Sequence, residues 1–380
     1  MHKILIITND LHIGGIQKSL IDFLKFLVSL GHKIDLLIWE EGILSSEIPA
    51  SVQVIKLDYA TTWKNIKKEN DFRKKIIGLA SHLKYKFYAK IFRKPWQFFP
   101  RMTQHYNTVI SYTQNGYPRF YAIDLVSADQ KYLWYHHGSY DLSGSAYDLD
   151  KEYFKKFTKL ITVSSSNKIM LERYFPEYID RIQVIPNMIN VDEIRQRSKE
   201  ETQDFIKEEG VFSFVTVSRF SKEKGLDLAI DVATELVKQG LRFKWYFVGD
   251  GETFFESLKV LKERGLQDIC IFLGTKTNPY PYVASADLYI QTSYVESQSI
   301  TVIEALVLKK LIVTTDLPAL REVLENGRLG VLCKPEVKAF AEKITNLLQD
   351  QTAQATIMAA VKVYTVSNEA AHRKINELLN

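Results

Sequence analysis

Short apolar runs, each ending in a polar turn and followed by a stretch with helical spacing, recur along the whole chain. KILIIT (3–8) reads as a strand and NDLHIGG as a loop. Residues 16–30, with Leu20, Phe23, Leu24 and Leu27 on one face, read as a helix. Further strands are predicted at 33–39, 52–57, 108–112 and 131–135, then at LITVSSS (160–166) and RIQVIPNMIN (181–190). Charged residues cluster at 193–209, which reads as a linker. The alternation then restarts with FSFVTVS (212–218) and continues through KWYFVGDGE, ICIFLGTK, ADLYIQT (286–292), KLIVTTD and GVLCKP, with a helical tail over 351–380. Strand, loop and helix repeated with right-handed crossovers give parallel sheets, an α/β fold.

A chain of 380 residues is long for one core and suits two domains. The apolar and charged fractions, 46% and 25%, are those of a globular protein. No apolar run reaches the ~18 residues of a membrane span, and the amino terminus lacks the pattern of a secretory signal. A cytoplasmic protein is expected. Cys270 and Cys333 sit in separate strand-like runs without metal or redox spacing, and read as reduced core residues.

Charge changes the picture in one place. Residues 61–101 hold twelve Lys and Arg against Glu69 and Asp71, although the whole chain carries only +5. Within that stretch Ile76, Leu79, Leu83, Phe87 and Ile91 have helical spacing among lysines, with Trp96, Phe98 and Phe99 beyond. A basic amphipathic helix of this kind suits an anionic bilayer surface, which would make the protein peripheral at the inner face of the cell membrane. It equally suits a solvated helix packed on its domain. Nucleic acid ranks last, because no nucleic-acid module surrounds the stretch.

Candidate chemistry concentrates in QTSYVESQSITVIEAL (291–306), a strand end, a polar turn and a helix opening near Ser299. Glu296 lies in the turn and Glu304 in the helix. Between them the backbone N–H groups of Gln298, Ser299 and Ile300 would point from the helix N-terminus toward an anion. A phosphate between two acids is one reading; a capping box between Thr301 and Glu304 is the other. Gly14 and Gly15 form a turn after the first strand, but without G-x-G-x-x-G no dinucleotide redox enzyme is supported. HHGSY places His136 and His137 at a strand's carboxyl end, where open α/β sheets put ligands. Alternation favours His136, and both stay in view. Asp148 to Asp150 form an Asp-Leu-Asp triplet of metal-site type, read as chance.

The pair Glu296 and Glu304, with Arg219, Glu223, Lys224 and Gly225 upstream in RFSKEKG, resembles the retaining glycosyltransferases of family 4, which have the GT-B fold. That resemblance implies two Rossmann-like parallel-sheet domains facing each other across a cleft: 1–195 binding the acceptor, 196–360 binding a nucleotide-sugar, and a helix at 361–380 crossing back. It implies that Arg219 and Lys224 hold the diphosphate, a guanidinium fork and a point charge. Glu296 would meet the donor sugar, Glu304 the ribose, and a His the sugar. Gly14, Gly15, Gly249, Gly251, Thr275 and Lys276 would approach the donor, as would Gln298, Ser299 and Ile300. Neither metal nor cofactor is implied, the nucleotide-sugar being a substrate. The implied function is transfer of a hexose, from a UDP-sugar in first place and a GDP-sugar in second, to a hydroxyl of a glycan or lipid-linked acceptor in capsule, exopolysaccharide or other cell-envelope synthesis. The alternatives are a nucleotide-sugar epimerase-like enzyme of the same fold or a non-catalytic partner subunit. Met188, Asn190, Ser297 and Gln298 depart from the residues most common in that family.

Overall fold

The structure, a computed structural model, describes residues 1–57, 70–140 and 146–380. Residues 61–69 of the basic stretch lie outside them. The first sheet holds β1 (Lys3–Ile7), β2 (Lys33–Ile38), β3 (Gln53–Lys56), β4 (His105–Ser111), β5 (Ser127–Tyr135), β6 (Lys159–Thr162) and β7 (Ile182–Val184). All are parallel, in the order β3-β2-β1-β4-β5-β6-β7. Around them lie α1 (Gly15–Ser29), α2 (Phe72–Phe87), α3 (Pro118–Asp124), α4 (Ala146–Phe154), α5 (Ser165–Tyr174) and α6 (Val191–Arg197).

The second sheet, also parallel, holds β8 (Phe212–Val217), β9 (Phe243–Val248), β10 (Cys270–Gly274), β11 (Leu288–Gln291), β12 (Leu311–Thr315) and β13 (Val331–Cys333). Its order is β10-β9-β8-β11-β12-β13. Its helices are α7 (Leu226–Lys238), α8 (Phe254–Glu263), α9 (Tyr280–Ser285), α10 (Ile300–Val307), α11 (Pro318–Val323), α12 (Val337–Gln349) and α13 (Gln351–Val363), followed by the terminal α14 (Glu369–Leu379). Two Rossmann-like domains of GT-B architecture result.

Helices on both faces explain why the central strands are apolar without alternation. Along β1, Ile4 and Ile6 pack with Leu20, Leu24 and Leu27 of α1, while Leu5 and Ile7 pack on the other face with Trp96 and Tyr121. In β8, Phe214 packs with Ala229 and Ala233 of α7, and Val215 with Val302 and Leu306 of α10. Cys270 and Cys333 are free and buried in this second core, and burial pushes both thiols up to about 12.

The chain passes between the domains twice. Near the first passage the Asn368 side chain accepts from the Ile189 N–H (3.0 Å) and donates to its carbonyl (3.0 Å), so one amide ties both passages together. Beyond the second, α14 returns to the first domain. Its Ala371, Ile375 and Leu379 enter the core that holds α1, His372 stacks on Phe26 at 4.0 Å, and Lys374 donates to the Val184 carbonyl.

Three local expectations change. The strand predicted over 181–190 is only Ile182–Val184, because Pro186 has no N–H to give a ladder. The charged cluster opens as helix α6, whose first turn is capped by the Asn190 side chain accepting from the Glu193 N–H. The basic stretch forms α2, capped by Asp71, then a wider turn at Tyr88–Phe92. No side chain of α2 is buried, and Ile77, Leu83 and Ile91 are about 60% exposed. Trp96 and Phe99, grouped with that helix from the sequence, belong to the core instead. Trp96 stacks on Phe120 at 4.2 Å and donates to Asp124.

Candidate active site

Strand order reverses between β1 and β4 in one sheet and between β8 and β11 in the other, and such switch points open a crevice at the carboxyl ends of the strands. Here the two crevices face each other. A Cβ on Gly15 would stand 3.6 Å from the Ile300 side chain, and one on Gly138 would collide with the Glu296 carbonyl oxygen. The domains therefore meet where Gly14 and Gly15 open α1, where Ile300 opens α10, and where the His136 and His137 loop passes the Glu296 turn.

Lys224 ends a short turn after β8, and its Nζ lies 2.8 Å from Glu296 Oε1. That oxygen also accepts from Ser293 Oγ (2.7 Å) and Gln291 Nε2 (3.2 Å), and the carboxylate is almost fully buried. Three donors fix its orientation. Arg219 is exposed and makes no ion pair with a described residue. Its loop is held from below by the turn of Gly249 and Gly251. Their φ values are 147° and 157°, and a Cβ on either would strike the carbonyl of Ser218 or Phe220. Thr275 is exposed after β10, and Lys276 is paired with Asp204 at 2.5 Å.

At the mouth of α10, Ser299 adopts φ 55°, ψ 73°, a left-handed conformation costing a non-glycine residue roughly 1–2 kcal/mol. Its hydroxyl is buried without a partner. Gln298 reaches across the cleft, its Oε1 accepting from the Asn187 N–H (2.9 Å) and side-chain amide (2.7 Å). Asn187 accepts in turn from Ser19 Oγ, which bonds Tyr112. The Thr301–Glu304 capping box does not form, because α10 begins at Ile300 with Ser299 as its cap. Glu304 turns inward, 4% exposed. It accepts from the Tyr280 hydroxyl (3.0 Å) and lies 3.4 Å from Lys18 Nζ of α1.

The two histidines part company. His136 is buried against Tyr112, burial holds its imidazole neutral with a pKa of about 3, and its Nε2 has no partner. His137 bonds the Ser139 carbonyl, and its Nε2 lies 3.0 Å from a Glu223 carboxylate oxygen across the cleft. Behind them, Gln114 accepts from the His136 N–H, and Arg119 grips the Gln114 and Gly116 carbonyls. The same Arg119 pairs with buried Asp150 at 2.6 Å, and Tyr140 bonds the other oxygen of that carboxylate. Asp150 of the triplet thus braces the histidine loop. Among the described residues no cluster of His, Cys, Asp and Glu could hold a metal ion.

Lys18, Asp22, Glu193, Arg197, Tyr280 and Glu304 line a partly open pocket of about 30 Å³ between the domains. Burial raises the Asp22 carboxyl to about 7, opposed by Lys25 and reinforced by Glu193 and Glu304. Lys18, Tyr280, Asn187 and Asp22 had not been singled out from the sequence. The available signal was Lys18 itself, a cation in a helix's first turn, where the dipole disfavours it unless an anion is near.

The profile of the glycosyl transferases group 1 family matches residues 197–363. An uncharacterised glycosyltransferase of Methanocaldococcus jannaschii is 25% identical over 227 residues, 54% of this chain and 56% of that protein. The chain thus spans about half of that relative, and about a third of several others. Among solved structures, a mutant of S. aureus TarM in complex with fondaparinux, α-GlcNAc-glycerol and UDP superposes with a TM-score of 0.72. It is 14% identical, and both chains are covered in full. Anabaena HepE in complex with UDP and glucose gives 0.70 at 18% identity, covering 100% of this chain and 99% of the other. At such identities these two likenesses establish the fold. Two facing Rossmann-like domains, the second containing a region that matches the glycosyl transferases group 1 model, give the chain the GT-B fold.

Proposed function

We propose that the chain is a retaining glycosyltransferase that moves a hexose from a UDP-sugar to a hydroxyl of a glycan or lipid-linked acceptor in cell-envelope polysaccharide synthesis. The observation that carries this reading is the meeting, in one interdomain cleft, of Lys224 and Glu296 in contact, Arg219 exposed after β8, Glu304 buried and the opening of α10. UDP is favoured because two structures of the same fold hold it.

Cleavage of the anomeric C–O bond leaves the electron pair on the diphosphate. Arg219, Lys224 and the N–H groups opening α10 stabilise that charge. The acceptor oxygen bonds the same face of the anomeric carbon, and its proton passes to the departing diphosphate. Glu296, held by Lys224, Ser293 and Gln291, orients sugar hydroxyls and supports the positive ring. His136, neutral and with Nε2 unpartnered, has a free hydrogen-bonding position for the sugar, whereas both ring nitrogens of His137 are engaged. Glu304 takes the ribose hydroxyls, and Gly14 and Gly15 let α1 close over the phosphates. The test is incubation with labelled UDP-hexoses and an envelope extract, followed by NMR of the product. Retained anomeric configuration supports the reading; inversion, or epimerised donor with no transfer, overturns it.

A specific observation favours membrane docking as an added property. The apolar side chains of α2 and the following turn are exposed together with Lys74, Lys75, Lys84, Lys86 and Lys90. An anionic bilayer complements both components, and a lipid-linked acceptor would be met there. No described helix is long and apolar enough to cross a membrane.

A further inference from the structure

We propose that Lys18 is a donor-binding residue supplied by the first domain, exchanging Glu304 for the donor diphosphate when the nucleotide-sugar binds. The inference rests on the proposed placing of ribose at Glu304 and of the diphosphate at the opening of α10. In the ligand-free protein Lys18 Nζ lies 3.4 Å from Glu304 Oε1 and 3.2 Å from the Tyr280 hydroxyl, above the Tyr280 ring at 4.6 Å. Glu304 is almost fully buried, and Lys18 keeps 20% of its side chain exposed. The carboxylate proposed for the ribose is therefore already occupied, by a cation from the opposite domain.

Ribose hydroxyls that bond Glu304 and Tyr280 take the positions Lys18 now holds. The displaced ammonium then has Asp22, Glu193 and the diphosphate within its surroundings. Glu193 is already matched by Lys25 (3.1 Å) and Arg197 (3.2 Å), and burial favours the neutral form of Asp22. The diphosphate, met so far only by second-domain groups, is the most highly charged anion left to it. It is also near, because it is joined to the ribose 5′ oxygen and because Gly15, three residues before Lys18, stands against Ile300 at the start of α10. The N-termini of α1 and α10 thus flank one anion site, and Gly14 caps α1 without using a side chain. Lys18 is the cation of that first turn, a position where the helix dipole rewards a nearby anion. This exchange makes a first-domain charge part of the site only when a phosphorylated ligand is present, so it links donor binding to domain closure.

Calorimetry of UDP and of uridine with wild type, Lys18→Met, Lys18→Arg and Arg219→Ala tests this. Lys18→Met should weaken UDP about tenfold, the loss expected for one charge-assisted contact, while uridine binds as well as or better than in wild type because its competitor for Glu304 is gone. Lys18→Arg should recover most of the UDP affinity. Unchanged UDP affinity in Lys18→Met, or equal weakening of UDP and uridine, overturns the exchange. Arg219→Ala reports separately on the reading beneath it: loss of UDP there with full affinity in Lys18→Met leaves the diphosphate site standing and removes Lys18 from it.

Discussion

At the residue scale the two acids of the 291–306 stretch differ in what already holds them. Glu296 is fixed by three donors of its own domain and Glu304 by Tyr280 and by Lys18 of the other. Glu304→Gln is expected to lower donor and free-nucleotide affinity while the bound complex still reacts. Glu296→Gln should leave nucleotide affinity nearly intact and lower kcat, as for a contact made mostly in the transition state; calorimetry and single-turnover rates separate the two. Asp22 gives a pH prediction. Its folded pKa of about 7 lies above the ordinary 3.8, so between those values the folded state holds a proton the unfolded state has lost, and stability falls as pH rises through that window. Asp22→Asn should raise Tm at pH 8 more than at pH 5; an equal shift at both would contradict the raised pKa. Candidate residues such as Arg219, Lys224 and Glu304 could be singled out because their types and spacing form a local pattern. Lys18 and Asn187 were not, since each is defined by a partner more than a hundred residues away.

At the element scale strands and helices were read from periodicity because parallel strands covered on both faces are continuously apolar. The basic stretch shows the limit of that method. Its apolar spacing predicted a helix correctly, but spacing alone could not say that Ile77 and Leu83 face solvent while Trp96 and Phe99 are core. Each Lys or Arg near an anionic bilayer contributes about 1 kcal/mol, so replacing Lys84, Lys86, Lys90, Arg93 and Lys94 by Gln should abolish flotation with anionic vesicles at physiological salt. Activity on a soluble acceptor should survive. Equal flotation of wild type and variant would retire the docking surface. The Arg119–Asp150 pair belongs to this scale too, because it joins α3 and α4 behind the His136 loop. Removing one partner of a buried pair costs about 3–5 kcal/mol, so Arg119→Met should lower Tm sharply in a thermal melt, and a shift of under about 2 °C would deny the pair its structural role.

At the scale of the whole molecule the two domains meet across the cleft at a few close approaches. There the loop of His136 and His137 meets the second domain, with Gly138 packed against the Glu296 carbonyl. A Cβ at position 138 blocks that contact. Gly138→Ala should still bind UDP through the second domain yet turn over at least about 100-fold more slowly, as misplacing a reacting group by about 1 Å does; full activity would mean that turnover does not need this approach. The two-sheet architecture could be read from the repeated strand and helix pattern, whereas the way the domains meet depends on cross-domain pairs that no local pattern encodes. The central claim is that the cleft holds a nucleoside diphosphate on Arg219 and Lys224. Titration of UDP and uridine into wild type and the Arg219→Ala, Lys224→Ala double variant tests it most directly. The account predicts UDP affinity lower by roughly 10- to 1,000-fold, the range for removing charged donors to an anion, with uridine nearly unaffected. Unchanged UDP affinity in the double variant would contradict it.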